Sequence, residues 1–91
     1  MGARVTWTQG GDAELVAQDG DRTTWSSSRA WPPGSRPEGA LADGARVWIK
    51  VHGSQRTSDG RFRVVGRLLD ATRELRDALA ASVAGDPPGD G

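Results

Sequence analysis

The clearest hydrophobic pattern in the chain is a strict alternation over residues 45–52. Every second residue is apolar, namely Ala45, Val47, Ile49 and Val51. The residues between them are Arg46, Trp48, Lys50 and His52. Because successive side chains of a β-strand point to opposite faces of a sheet, this alternation predicts a strand with one face in the core.

A second alternating run covers residues 61–67, and the polar, glycine-bounded stretch 53–60 joins it to the first. Phe62 and Val64 share the core-facing side with Gly66, where we expect a bend or a close approach of two backbones. The opposite face carries Arg61, Arg63, Val65 and Arg67. Two alternating runs with a short polar connection predict an antiparallel hairpin.

After the second strand, the apolar positions change to a helical period. The stripe consists of Leu68, Ala71, Leu75, Ala78, Leu79 and Val83. We predict a helix over residues 71–84, with Asp70 as its N-cap and Gly85 as its C-terminal stop. Glu74 lies in the first turn, where the helix dipole favours an anion. Such a helix is marginal alone in water, so it is expected to dock on the sheet.

The first part of the chain predicts a meander of three short strands, over residues 3–8, 13–18 and 22–28, separated by glycine-containing turns. The side chains expected to face the core are Val5, Trp7, Ala13, Leu15, Ala17 and Trp25.

The segment from Trp31 to Gly34 interrupts the strand pattern, because two consecutive prolines exclude a central strand. Trp31 is either a plug over the barrel or an exposed contact residue, and both alternatives stay open. Ala40 and Leu41 predict a short edge strand. Residues 86–91 have little to bury and are expected to be a disordered tail.

This order of elements predicts a mainly β fold, a small antiparallel β-barrel of five or six strands with a C-terminal α-helix. Residues 1–85 form a single domain in this interpretation, since 91 residues suffice for one core. Closure of the sheet would also leave no strand edge uncovered.

The amino-acid composition indicates in which cellular compartment the protein is expected. The chain has no cysteine, which fits a reducing compartment. Its first twenty residues contain no apolar run, so we expect neither a signal peptide nor a membrane span. These features together predict a cytoplasmic protein without a membrane partner.

Charge is unevenly distributed along a chain whose formal net charge is zero. Residues 46–67 contain six cations and one acid, whereas residues 68–91 contain five acids and two cations. Tryptophan and arginine dominate the energetics of many protein interfaces. The candidate partner-binding residues are therefore Arg46, Trp48, Lys50, Arg61, Arg63 and Arg67.

Two of these assignments have a simpler alternative. We expect the docked helix to cover Trp48, although an exposed aromatic anchor is the competing interpretation. The arginines at 61, 63 and 67 either bind an acidic partner or form an ordinary solvated strand face.

Catalytic and metal-binding chemistry has little support in the sequence. His52 is the single histidine, and a lone imidazole without cysteine or clustered acids does not predict a zinc site. The serines at 26–28 lack the glycines of a nucleophile elbow. We expect no catalytic residue, no metal and no cofactor, and hence not an enzyme.

The hairpin ARVWIKV and GRFRVVGRLLDA, followed at once by the helix TRELRDALAA and preceded by a meander and a Pro-Pro-Gly turn, resembles the C-terminal half of PilZ domains. Members that bind cyclic di-GMP carry an RxxxR segment before the first strand and a (D/N)xSxxG segment between the next two. Here the start of the chain offers only Arg4. Asp19 matches the first position of the second motif, but Asp21 replaces its serine and Thr24 its glycine.

The one RxxxR spacing in the chain, Arg63 to Arg67, lies within a strand, where the two side chains would be about 13 Å apart. The resemblance therefore implies a degenerate PilZ-like domain that does not bind cyclic di-GMP. Such members look like adaptors that bind other proteins in signalling or motility regulation. The alternative is a small barrel that binds nucleic acid through its basic hairpin, although a pI near 6.6 speaks against it.

Overall fold

Six antiparallel strands close into a barrel in the order β1-β2-β3-β6-β5-β4. The structure is a computed structural model and describes residues 2–84. The strands are β1 (Arg4–Trp7), β2 (Asp12–Asp19), β3 (Arg22–Ser27), β4 (Glu38–Leu41), β5 (Arg46–Arg56) and β6 (Phe62–Leu69). One helix, α1 (Arg73–Ala84), follows β6 directly. The predicted antiparallel barrel with a C-terminal helix is confirmed. The predicted stop at Gly85 and tail at 86–91 lie outside the described residues.

The strand β4 is an integral part of the barrel wall. Ala40 pairs with Thr6 of β1 on one side and with Arg46 of β5 on the other. The expectation of an edge strand at Ala40 and Leu41 was wrong, because closure of the barrel gives this segment a partner on both sides.

Three tryptophans form the centre of the core. The ring of Trp7 packs edge-on against Trp25 and Trp31, with ring centroids 6.3 and 5.6 Å apart. All three are buried, so Trp31 belongs to the core and is not an exposed contact. The Nε1 of Trp7 donates to Ser27 Oγ at 3.1 Å, which satisfies that buried donor inside the barrel.

Two β-bulges change which residues face the core. In β2 the register shifts between Leu15 and Ala17, so Val16 bulges outward and is 57% exposed. One extra residue reverses the alternation that follows it, which explains why Ala17 is exposed although it was expected to face inward.

The second bulge lies in β5 at His52, between Val51 and Gly53. The strand continues past it to Arg56, so half of the predicted polar connection is strand and the turn is short. Beyond the bulge, Ser54 pairs with the core residue Val64, and its hydroxyl donates to the Trp31 carbonyl at 2.7 Å. The bulge therefore positions a polar anchor for Trp31.

Gly66 allows β5 and β6 to approach closely, as its place in the alternation suggested. A Cβ atom at this position would lie 3.0 Å from the carbonyl oxygen of Lys50 and 3.1 Å from Ile49 Cδ1. Any side chain here would push the two strands apart.

The helix begins two residues later than predicted and has a different cap. Thr72 Oγ1 accepts a hydrogen bond from the Leu75 amide at 3.1 Å, so Thr72 is the N-cap. Asp70, the predicted cap, instead occupies a left-handed backbone conformation with φ of 52° in the turn between β6 and α1.

The helix packs on β2 through fully buried Leu79, with Leu75 and Val83 partly buried beside it. Ala78 is exposed, contrary to its predicted place on the apolar stripe. With 12 residues, α1 is short, and within residues 2–84 no helix is long and apolar enough to cross a bilayer.

Candidate functional site

Trp48 is an exposed aromatic side chain on the outer face of β5. Its exposed fraction is 39%, so the expectation that the helix covers it was wrong. The barrel order explains the outcome: β2 and β5 are three strands apart in both directions and lie on opposite walls. Because α1 docks on β2, it leaves the outer face of β5 uncovered. Across the strand pair, Trp48 faces the half-buried Leu69 of β6.

Four cationic side chains lie in one row across this wall. Lys50 of β5 pairs with Arg67 of β6, and Arg67 pairs with Arg22 of β3. The row extends to Arg36, because the amides of Val51 and Ile49 donate to the carbonyls of Ser35 and Pro37 at 2.8 and 3.3 Å. Those two bonds place Arg36 opposite Lys50. We call the row Arg36, Lys50, Arg67 and Arg22 the cation rung.

The cations of the rung have no ion-pair partner within residues 2–84, although Asp21 and Asp70 line a surface depression beside three of them. All four side chains are exposed. Neighbouring strands are about 4.8 Å apart, so the rung spans about 14 Å. Like charges placed opposite each other destabilise a sheet, by about 0.7 kcal/mol for a pair 6 Å apart in bulk water before salt screening.

The rung has a defined boundary at its β3 end. Beyond Arg22 the next register partner is Asp19 of β2, an exposed acid. Asp21 is nearby and forms an ion pair with Arg76 of the helix at 3.0 Å. The positive surface is therefore a short strip that ends in negative charge.

A surface depression of about 460 Å³ adjoins the rung where β6 turns into α1. Its walls include three cations of the rung, the apolar side chains of Leu69 and Ala71, and the acids Asp21 and Asp70. The depression thus combines cationic and apolar contacts between the rung and the start of the helix, whose Arg76 also lines it.

Two of the predicted site residues, Arg46 and Arg61, form hydrogen bonds to other residues of the protein. Arg46 donates from Nη1 to Glu38 Oε2 at 2.7 Å, across the β4–β5 pair. Arg61 precedes β6, and its Nε and Nη2 donate to the Oγ and the carbonyl of Ser26, each at 2.9 Å. Both guanidinium groups fasten neighbouring strands, and neither belongs to the cation rung.

The remaining predicted residues divide into two sets. Trp48, Lys50 and Arg67 come together on one patch of the wall. Arg63 is exposed on the same face, but it lies four residues from Arg67, a distance of about 13 Å along the strand.

Sequence reasoning missed Arg22 and Arg36, two members of the rung. Arg22 lies on β3, whose pairing with β6 joins strands that are far apart in sequence, and Arg36 lies in the connection before β4. Neither position could be recognised from a local pattern.

Two further polar residues, His52 and Asp59, lie in the bulge and in the turn of the β5–β6 hairpin. His52 is the exposed bulge residue of β5, and within residues 2–84 no three His, Cys, Asp or Glu side chains cluster as metal ligands would. Asp59 lies in the β5–β6 turn, where hydrogen bonds from the Thr57 hydroxyl and then the Arg61 amide lower the pKa of its carboxyl. That carboxylate stabilises the turn.

No protein-family model, no curated protein and no solved structure matches this chain. The cation rung and the adjoining Trp48 are therefore the features from which a function can be inferred.

Proposed function

We propose that this protein is a PilZ-like adaptor domain that binds a partner protein through the outer wall formed by β5 and β6, and that it acts in signalling or motility regulation without cyclic di-GMP. One observation carries the proposal. An exposed tryptophan lies two residues from a row of exposed cations, on the wall opposite the docked helix.

The physical case begins with Trp48. A large aromatic ring that is partly exposed can bury more apolar area when a partner covers it, with little loss of side-chain freedom. The neighbouring guanidinium groups can make paired hydrogen bonds to carboxylates of the partner. Together they supply an apolar anchor and charged contacts that set orientation.

The closed barrel restricts how a partner can bind. Each described strand is hydrogen-bonded on both sides, so a peptide has no strand edge to extend. Binding must then use side chains on an outer wall. This requirement favours the β5–β6 wall, which carries the exposed Trp48 beside Lys50 and Arg67.

The residues at the positions of the two cyclic di-GMP motifs support the proposal that the protein acts without this nucleotide. Arg4 lies within 3.8 Å of Asp12 and of Glu14, so its charge is shared with acids. Asp21, which stands where the motif has serine, places a carboxylate where a dianionic nucleotide would be repelled.

Site-specific cross-linking tests the adaptor proposal. A photoreactive phenylalanine analogue is placed at position 48, and at position 16 as a control, since within residues 2–83 Val16 is the other exposed large apolar residue and lies on the opposite wall. In the cells that express the protein, we expect position 48 to cross-link a defined protein that position 16 does not reach.

The captured protein is then purified and titrated. Trp48→Ala should weaken its binding by about 2 kcal/mol, roughly thirtyfold, with only a moderate dependence on salt. Equal cross-linking from both positions, or unchanged affinity of Trp48→Ala, would refute the adaptor proposal.

Nucleic-acid binding is a second candidate, because the cation rung beside an exposed aromatic ring is also typical of single-strand binding surfaces. Such binding weakens steeply with salt, by roughly one log unit of affinity per log unit of salt for each phosphate neutralised. Titration with single-stranded oligonucleotides at low and moderate salt decides between the candidates. No binding at low salt removes the nucleic-acid candidate, whereas tight, salt-sensitive binding would replace the adaptor proposal.

A further inference from the structure

The cation rung places like charges opposite one another in the sheet. Arg22, Lys50 and Arg67 are successive register partners, and within residues 2–84 no carboxylate pairs with them. Other cations of the same barrel, such as Arg46, do have acidic partners. A row of facing like charges lowers the stability of the sheet and is relieved when an anion binds. The missing counter-charge thus points to an anionic ligand.

The dimensions of the rung indicate the size of that ligand. Its span of about 14 Å matches about four residues of extended peptide. A long polyanion that continues along the same line would meet Asp19 directly beyond Arg22. A flat anionic membrane would meet that acid as well, on a protein with no net positive charge. A short acidic segment that stays on the rung avoids Asp19, and the acids beside it are then Asp21, which is paired with Arg76, and Asp70.

An apolar pair lies beside the rung. Trp48 and Leu69 face each other across β5 and β6, two residues along each strand from Lys50 and Arg67. Two residues correspond to about 7 Å, which is within reach of a side chain that flanks a segment bound on the rung.

We propose that the cation rung is the recognition site for a short acidic peptide segment of the partner, which crosses β5, β6 and β3 at right angles to the strands. Two to four Asp or Glu carboxylates of this segment contact the rung, and one neighbouring apolar side chain contacts Trp48 and Leu69. The inference rests on the proposed adaptor function and specifies which kind of partner surface the adaptor takes.

Fluorescence anisotropy with two labelled peptides tests the inference on the full chain. One peptide has four consecutive glutamates and a flanking phenylalanine, and its match has glutamines instead. We expect saturable binding of the glutamate peptide with a dissociation constant below about 1 mM at low salt, and at least tenfold weaker binding of the glutamine peptide.

Two arginines of one strand provide the matched variants. Arg67→Gln removes a central member of the rung, and Arg63→Gln removes another exposed arginine of the same face outside it. We expect Arg67→Gln to weaken peptide binding at least tenfold and Arg63→Gln less than threefold. Lys50→Gln should repeat the first result, which guards against a folding defect specific to position 67.

Several outcomes would overturn the inference: no saturable binding of the glutamate peptide, equal losses for Arg63→Gln and Arg67→Gln, or tighter binding of a thymidine oligonucleotide or an anionic phospholipid vesicle than of the peptide. Cross-linking at position 48 without peptide binding would reject the rung as the acidic-segment site and leave the adaptor function standing. Peptide binding without a cross-linked protein would support the site and reject the adaptor function.

Discussion

At the scale of one residue, Arg67 has two opposing properties: neighbouring cations repel its charge, and that charge is available to bind an anion. It lies between Lys50 and Arg22 in the sheet, so its charge is repelled from both sides. A neutral side chain of similar length would keep the aliphatic packing and remove the repulsion. We therefore expect the arginine to lower stability, as is common for residues that serve binding.

We predict that Arg67→Gln stabilises the protein. Removing two facing like-charge contacts should raise the free energy of unfolding by about 0.3 to 1 kcal/mol at low salt. Urea denaturation measures this difference, and the gain should shrink at high salt because screening already weakens the repulsion in the parent protein. A loss of stability on this substitution would mean that the rung is compensated within the fold.

The tryptophans should differ sharply in their contribution to stability. Trp25 is fully buried and its Nε1 donates to Thr23 Oγ1 at 2.8 Å, so Trp25→Ala should cost about 3 to 5 kcal/mol. Trp48→Ala should cost less than about 1 kcal/mol, since its ring lies on the surface. Thermal unfolding of both variants is the measurement, and a large loss at Trp48 would assign that ring a structural role in place of the binding role.

At the scale of elements, much of the fold could be predicted because strand and helix periods are local properties. The alternation around Val47 and Ile49 identified β5, and the stripe through Leu75 and Leu79 identified α1. The bulges at Val16 and His52 could not be predicted, since one extra residue in a strand leaves no local signature in composition.

The candidate site was only partly predictable for a related reason. Trp48, Lys50 and Arg67 belong to one hairpin, so their proximity follows from a short-range pattern. Arg22 joins them through the long-range pairing of β3 with β6, and Arg36 through an extension of the β4–β5 ladder beyond the predicted short strand. The β4–β5 ladder also brings Glu38 to Arg46, and the β3–β6 pairing brings Ser26 to Arg61, which removes two residues from the predicted surface.

The helix supplies a prediction about its own docking. Leu79 is fully buried against the barrel, so Leu79→Ala should cost about 2 to 4 kcal/mol. Leu75 is only partly buried, and Leu75→Ala should cost less. Chemical denaturation followed by circular dichroism measures both, with the exposed Ala78→Ser as a control. A loss below about 0.5 kcal/mol for Leu79 would show that the helix does not dock.

At the scale of the whole molecule, the docked helix and the proposed binding surface are centred on opposite walls. The helix covers β2, while Trp48, Lys50 and Arg67 lie on the wall of β5 and β6, and the rung reaches β3 only at Arg22. Substitutions on the exposed wall should therefore change binding without altering helix docking. Because of this separation, a change in binding can be distinguished from a change in folding.

We predict that the protein does not bind cyclic di-GMP at micromolar concentration. Neither motif is complete, since only Arg4 and Asp19 match, and Asp21 adds a carboxylate where the second motif has serine. Titration calorimetry with the full chain decides the matter. A saturable signal with a micromolar dissociation constant would show that the cation rung serves a nucleotide and would reverse this part of the proposal.

The short strand β4 determines where the barrel should open first. It is held by three registered residue pairs on each side, as is its neighbour β1, against six between β3 and β6. Amide hydrogens of β4 should therefore exchange with deuterium faster than those of β3 and β6. While β4 is detached from the barrel, its neighbours β1 and β5 each present an unpaired strand edge to other molecules. Exchange of β4 between two copies is then the expected route by which this barrel would dimerise or aggregate under mild destabilisation.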